Sequence, residues 1–406
     1  MSLIRVIAVV MVLLSSVTAT AQEKAPAAPA AKLQLDEATQ KALDKVKSSF
    51  QGVQSYEYSA QTSIKVDAQG MKQDSTTAFK VAVKRPNKFV IEATGGRMDG
   101  LTLLSDGKNF YLYSAQEKAY SKQDAPERLS KLAEEGYIPS DPLLGFVTAF
   151  VEDDPVAPIL EGVTSGKFAG KEAVDKAETE RMHFVLSDME WDLWVGAGEK
   201  PLPVRLKPDV SKSLAQQDPQ MGAVKVDMNV TYADWSLGKD VPDERFVFKP
   251  AEGSQEMVEP KSPLEGQVAP TFSADMLDGK KMDLAQHKGK DVVILDFWAT
   301  YCQPCRILMP MLDKVVKEFK GKNVAYYAVN GSEDAATIRP FMENIGLDVP
   351  VVLDADSSIS QKYQVEGIPM VVIVGKDGVI RNVQVGVGGG AERKLRNMIK
   401  AAAEAK

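Results

Sequence analysis

Only two cysteines occur in the 406 residues, and they stand three positions apart in the segment LDFWATYCQPCR, as Cys302 and Cys305. A thiol pair at that spacing can open and close a disulfide, or it can supply half of a four-ligand zinc site. The zinc option lacks partners, because His183 and His287 have ligand spacing neither to each other nor to the pair. No metal site is expected, and no cofactor. Position favours redox chemistry. The apolar run at 291–298 (DVVILDFW) reads as a buried strand, and Cys302 opens the helical pattern that follows. A cysteine there meets unpaired backbone N–H groups and the positive end of the helix dipole, both of which favour thiolate over thiol. Cys305, nearly one helical turn on, lies on the same face. Pro304 falls in the first turn, where its missing N–H costs nothing, and Pro310 falls mid-helix, where a kink is expected.

The elements that must hold this pair form an alternation over 264–406. Helical spacing covers 302–319, a strand pattern 323–329 and a helix 335–344. Strand patterns follow at 349–353, 370–374 and 379–385, before a closing helix at 392–403. That order predicts an α/β domain on a largely parallel sheet. Asp296 interrupts the apolar run. The alternation of Ile294, Asp296 and Trp298 leaves two placements open for it, a buried carboxylate or a strand-end aspartate facing water.

The chain is long enough for two or three domains, and 26% charged with 44% hydrophobic is an ordinary globular composition. A net charge of −7 argues against a nucleic-acid partner. Residues 1–21 have the layout of a secretory signal: Arg5, a short apolar core at 6–14, and small residues before a cleavage point after Ala21. The apolar core is far short of the ~20 residues a bilayer span needs. No cysteine follows it to carry a lipid, and no later stretch is long and apolar enough to cross a membrane. A soluble, periplasmic or otherwise exported protein is expected, in a compartment where Cys302 and Cys305 default to a disulfide.

Residues 22–34, rich in Ala and Pro, read as a flexible tether, and 33–50 as an amphipathic helix with Leu35, Ala42, Leu43, Val46 and Phe50 on one face. Alternating runs at 79–83, 88–92, 109–113, 183–186 and 224–232, with turn signals at 67–70, 85–87 and 106–107, predict an antiparallel β domain over 35–250. A more helical stretch lies at 142–160. Residues 251–263 read as a polar, Pro-rich linker.

On these residues the C-terminal third resembles the thioredoxin superfamily, and within it the exported thiol-disulfide reductases of the TlpA and ResA type. The segment GQVAPTF at 266–272, Phe297-Trp298-Ala299-Thr300 ahead of Cys302, Pro310, and Gly367-Ile368-Pro369 all match. The stretch 335–353 fits the extra helix and strand of the exported group. The resemblance implies that Cys302 attacks a substrate disulfide and Cys305 resolves the mixed disulfide. It implies that Asp296 is a buried carboxylate assisting proton transfer at Cys305, and that Pro369 is a cis-proline presenting its neighbouring backbone to the substrate. It further implies a substrate groove involving Trp298, Tyr301, Pro304, Ile368 and Met370, with Trp298 packed beside the disulfide. Tyr301 replaces the family's usual Trp and Met370 its usual Thr, so a distinct substrate preference is expected. A peroxiredoxin shares the fold, but its peroxide site needs a Thr and a Pro where this chain has Ala299 and Leu295.

Residues 36–250 resemble an exported family related to LolA-like lipoprotein carriers. The motifs are RPNKF at 85–89, DGKNFY at 106–111, WDLW at 191–194 with KPLP at 200–203, and FVFKP at 246–250. That implies an α+β half-barrel whose concave side could hold an apolar ligand, and no catalytic motif. Trp191, Trp194 and Trp235 could line such a cavity or fill an ordinary core. Glu152-Asp153-Asp154 reads as a solvated loop, His183 as an ordinary strand residue, His287 as a surface residue, and the glycine-rich run at 386–390 as a turn. The expected function is thiol-disulfide oxidoreduction, with exported proteins as disulfide substrates and a membrane thiol-disulfide partner as electron donor. A disulfide-forming oxidase with the same cysteines is one alternative. Another is a lipid or lipoprotein carrier whose thioredoxin domain senses redox state or docks a partner.

Overall fold

The computed structural model describes residues 33–68, 71–132, 136–138, 141–187, 189–217, 224–258, 261–387 and 390–405. The secretory layout, its cleavage point at Ala21 and most of the tether lie outside them. The chain divides into two compact units, with the boundary between Val258 and Glu259.

In the first unit, strands with period-2 burial build one large sheet. Ser55–Ala68 and Met71–Lys84 pair antiparallel along their length, and Lys88–Thr94, Leu101–Asp106, Asn109–Ser114 and Ala119–Asp124 continue the meander. A second meander runs through Ser165–Val174, Ala177–Val185, Glu190–Gly196, Pro203–Asp209 and Lys225–Leu237. Lys225–Leu237 then pairs antiparallel with Ser55–Ala68 and joins the two. Short parallel strands, Gln34–Leu35 and Gln255–Glu256, extend the two edges. Two expectations are corrected here. Asp36 accepts the Thr39 N–H at 2.7 Å and the Phe168 N–H at 2.8 Å, so the helix is Glu37–Phe50 and residues 33–36 are strand and cap. The first half of the expected linker belongs to this sheet, because Gln255–Glu256 pairs with Ala119–Tyr120.

Helices Glu37–Phe50 and Pro142–Thr148 pack on this sheet by different means. The first buries Ala42, Leu43, Val46 and Phe50. The second ends among three tyrosines of adjacent strands. Tyr58, Tyr56 and Tyr232 donate their hydroxyls to the carbonyls of Val147 (2.6 Å), Phe150 (2.6 Å) and Phe146 (2.9 Å). A helix C-terminus leaves its last carbonyls without intrahelical partners, and here the sheet supplies them. Trp235 stacks on Tyr58 at 4.4 Å and meets Phe50 and Phe150 edge-on, while Trp191 packs against Phe146 and Phe184. Trp191 and Trp235 are therefore packed among the unit's own aromatic residues. Trp194 donates its indole N–H to Glu172 at 2.5 Å and lies against the guanidinium groups of Arg181 and Arg205.

In the second unit a five-stranded sheet runs in the order Val351–Asp354, Val324–Gly331, Val292–Trp298, Met370–Val374, Ile380–Val385. The first three strands are parallel and the last two join antiparallel, so the sheet is mixed rather than largely parallel. Helices Gln303–Lys317 and Ala335–Ile345 provide the crossovers that parallel pairing needs, whereas a short turn links the last two strands. Val292–Trp298 is buried at every residue, as a strand covered on both faces must be. Val292, Ile294 and Trp298 join a core with helices Gln303–Lys317 and Ala391–Glu404. Val293, Leu295 and Phe297 join a second core with Phe272 and Tyr363.

Tyr58→Phe keeps the ring but leaves a helix-end carbonyl without its donor. We expect it to destabilise the first unit by about 1–2 kcal/mol, read as a lower urea midpoint with an unchanged slope.

Candidate active site

The central strand ends at Trp298, and the chain turns through Ala299, Thr300 and Tyr301 into helix Gln303–Lys317, whose N-cap is Cys302. Cys302 and Cys305 form a disulfide, with Cα atoms 5.3 Å apart. The Cys305 N–H donates to Cys302 Sγ at 3.2 Å, so the first sulfur takes the place a Ser or Asp oxygen holds in an ordinary cap. After reduction, the same contact and the helix dipole favour a thiolate at Cys302. Cys302 is 6% exposed and Cys305 1%, so the first sulfur is the more accessible to a partner. Beside them Tyr301 is 72% exposed, Pro304 is exposed in the first turn, and Pro310 lies within the helix.

The turn before Cys302 is clamped by a residue the sequence reading missed. Glu333 accepts the Thr300 N–H at 2.7 Å, the Thr300 hydroxyl at 2.5 Å and the Asn330 side-chain amide at 2.9 Å. Arg306 reaches back to the Thr300 carbonyl with Nε at 3.1 Å and Nη2 at 2.9 Å, and covers the Phe341 ring. Phe341 packs on Trp298 with ring centroids 5.4 Å apart. Strand register brings these groups together: Trp298 pairs with Asn330, which carries Glu333 to Thr300. A glutamate so far along the chain from Cys302 offers no local spacing signal.

Asp296 takes the buried one of its two possible placements. It is 1% exposed; Oδ2 accepts the Tyr326 hydroxyl at 3.0 Å, and Oδ1 has no hydrogen-bond partner. Its side chain shares a face with Ile294 and Trp298, both in the core that contains Cys302 and Cys305. Burial pushes its carboxyl up to about 7, and the Tyr326 hydrogen bond offsets only part of that rise.

The Ile368–Pro369 bond is cis, Pro369 is buried, and its carbonyl accepts the Gly386 N–H at 2.8 Å. A groove of about 560 Å³ is lined by Trp298, Tyr301, Ser332, Gln364, Gly367 and Ile368, among others. Three of the expected groove residues, Trp298, Tyr301 and Ile368, thus share one wall system. Pro304 does not line it. Met370 departs further from expectation: it is 3% exposed, pairs with Phe297, and packs with it in the second core. Alternation along Met370–Val374 sends Met370, Val372 and Val374 to that face and Val371 and Ile373 to the cysteine side.

Other singled-out residues have ordinary roles. His287 is half-buried rather than a surface residue, hydrogen-bonded between Asp291 (2.8 Å) and Tyr327 (3.1 Å). His183 bonds Asp192 at 3.0 Å. The acidic loop is paired as well as solvated, with Asp153 bound to Arg85 and Asp154 to Lys47. Part of the glycine run at 386–390 lies outside the described residues. Among the described residues no group of three or more His, Cys, Asp or Glu could hold a metal ion, and no helix is long and apolar enough to cross a membrane.

Comparison with known proteins assigns each unit separately. Residues 39–258 match a family described as a predicted periplasmic protein (DUF2092), and residues 266–383 match the AhpC/TSA family. The thiol-disulfide oxidoreductase ResA of Bacillus subtilis is 35% identical over 122 residues, which cover 30% of this chain and 68% of ResA. The thioredoxin-like protein YneN of the same organism is 39% identical over 125 residues, covering 30% of this chain and 72% of YneN. Among solved structures, the thioredoxin domain of a thiol-disulfide oxidoreductase from Bacteroides vulgatus is 26% identical. That match covers 34% of this chain and 99% of that one, with a TM-score of 0.31.

Because ionising Asp296 costs more in the folded protein than in the unfolded chain, the native state keeps a proton that the unfolded state has lost between 3.8 and about 7. The contribution of Asp296 to stability therefore falls as pH rises through that window. Asp296→Asn is expected to remove this contribution and to stabilise the oxidised protein by on the order of 4 kcal/mol at pH 8. Urea unfolding at several pH values should show this gain growing up to about pH 7 and level above it.

Proposed function

Because the chain belongs to the predicted periplasmic protein family DUF2092 through its first unit and to the ResA-type thiol-disulfide oxidoreductases through its second, we propose that it reduces disulfides of exported proteins. The observation that carries this reading is a redox pair whose first sulfur caps a helix, on the core face of the strand that also carries a buried carboxyl, Asp296. In the reduced state the Cys302 thiolate attacks one sulfur of a substrate disulfide. The substrate S–S bond breaks, the released sulfur takes a proton, and Cys302 is joined to the substrate. Cys305 then gives its proton to the Asp296 carboxylate, and its sulfur attacks Cys302. The substrate leaves with both sulfurs reduced, and the chain returns to the Cys302–Cys305 disulfide.

Tyr301 and Ile368 offer the substrate its walls, and the backbone of Ile368, beside its cis bond to Pro369, offers it strand-like pairing. Two electrons leave with each turnover, so a membrane thiol-disulfide partner restores the thiols. The Gln303-Pro304 dipeptide resembles the reducing members of the group, which favours this direction over an oxidase. Peroxide reduction is outside the reading, because Ala299, three residues before Cys302, is a buried methyl with no hydroxyl to hold a peroxide.

We read the first unit as a LolA-like sheet serving as a docking module. Of the three residues that could have lined a ligand cavity, Trp191 and Trp235 are packed against its own aromatic side chains, and Trp194 is bonded to Glu172 beside Arg181 and Arg205. The export assigned to the chain rests on the periplasmic description of its family and on the signal layout of residues 1–21.

Thiol trapping of the full chain in defined redox buffers tests the direction. We expect a reduction potential near the about −270 mV of thioredoxin, turnover of protein disulfides that Cys302→Ser abolishes, and a trapped mixed disulfide in Cys305→Ser. A potential near about −120 mV would reverse the assigned electron flow. A pair that does not cycle would move the function to the carrier or docking class.

A further inference from the structure

The resolving step needs a carboxyl oxygen ready to take the Cys305 proton, and Asp296 is held in a way that supplies one. Several elements build the core on its side of the strand, among them helix Ala335–Ile345 with Ile338 and Met342 and strand Val351–Asp354 with Val351. Strand Met370–Val374 places Val371 opposite Asp296, and helix Ala391–Glu404 contributes Leu395, Ile399 and Ala402 to the same core. Helix Gln303–Lys317 contributes Cys305, Leu308 and Leu312 beside its N-cap Cys302, and strand Val324–Gly331 contributes Tyr326 and Ala328. Among the described residues, the titratable groups facing this core are thus Cys302, Cys305 and Tyr326. Asp313 stands at its border, 8% exposed and paired with Lys317 at 2.6 Å.

Tyr326 is 7% exposed, and its hydroxyl donates to Asp296 Oδ2 at 3.0 Å. Burial and the nearby carboxylates of Asp296 and Asp313 raise its own ionisation far above the ordinary range, so it stays a donor. Oδ1 is left buried, with no hydrogen-bond partner among the described residues.

We propose that Tyr326 is a positioning residue for the resolving step: its hydroxyl occupies one oxygen of Asp296 and leaves the other as the acceptor for the Cys305 proton. The inference rests on the reading of Asp296 as the base for Cys305. In the mixed disulfide, the Cys305 proton moves to Oδ1 and the Cys305 sulfur forms its bond to Cys302. The Cys302–substrate bond breaks, and the departing substrate thiolate takes up a proton. The Tyr326 hydrogen bond favours the ionised form of Asp296, so it also sets the pH above which the base is ready.

The test is the pH profile of protein-disulfide reduction by the full chain, beside a ¹³C NMR titration of the Asp296 carboxyl in the oxidised state. The wild type should show a step near pH 7. Tyr326→Phe, which keeps the ring, should move both the step and the carboxyl midpoint upward by about half to one pH unit. Tyr326→Met, a second filler without a hydroxyl, should move them the same way should Tyr326→Phe not fold. Asp296→Asn should remove the step. Hydroxyl-free variants whose profile and carboxyl midpoint superimpose on wild type would overturn the role of Tyr326 while leaving that of Asp296 intact. A step that survives in Asp296→Asn would overturn the reading of Asp296 and this inference with it.

Discussion

The second unit depends on the burial of both faces of strand Val292–Trp298. A strand with a core on each side fixes where each of its side chains goes, because successive residues point in opposite directions. Ile294, Asp296 and Trp298 are thereby committed to the face covered by helix Gln303–Lys317, and Val293, Leu295 and Phe297 to the other. A slip of one residue would turn Asp296 away from the cysteines and put Leu295 in its place. The strand also ends where the helix begins, so the same burial that holds the sheet together sets Cys302 at a helix N-terminus.

That commitment carries a cost, and its location matters. A carboxyl enclosed in an apolar core, with one oxygen lacking any partner, opposes folding once the solution is neutral. An apolar residue at that position would pack as well without the penalty. Its presence beside a redox pair is an economical account of the residue, because a proton acceptor near neutrality is what a thiol-disulfide exchange can use. Around it the turn is closely bonded. Glu333, Arg306 and Phe341 hold the turn before Cys302 through hydrogen bonds to Thr300 and ring contacts to Trp298. The groove beside them offers an exposed tyrosine and polar side chains.

The first unit solves a different problem. One long antiparallel sheet has to cover an apolar face, and helix Pro142–Thr148 helps to do so with its C-terminal carbonyls turned toward the strands. Tyr56, Tyr58 and Tyr232 meet those carbonyls, so the aromatic rings supply apolar contact and their hydroxyls satisfy the backbone. The outcome is a packed face of aromatic residues, which Phe50, Phe150 and Trp235 complete.

The sequence by itself determined the redox pair and its setting. CxxC after a buried run and before a helical pattern is a local signal, because helix N-termini and their effect on a thiol follow from the backbone alone. It also determined the alternation of strands and helices near the site, which periodicity encodes within each element. Tertiary structure decided what periodicity leaves open. Whether Asp296 meets water or a core depends on what covers the strand. Glu333 reaches Thr300 only through the pairing of Trp298 with Asn330. Tyr326 reaches Asp296 from the neighbouring strand in the same way. Met370 turns from the groove because its register opposite Phe297 fixes its face. Each of these is a contact between residues far apart in the chain, and local spacing carries no information about strand register.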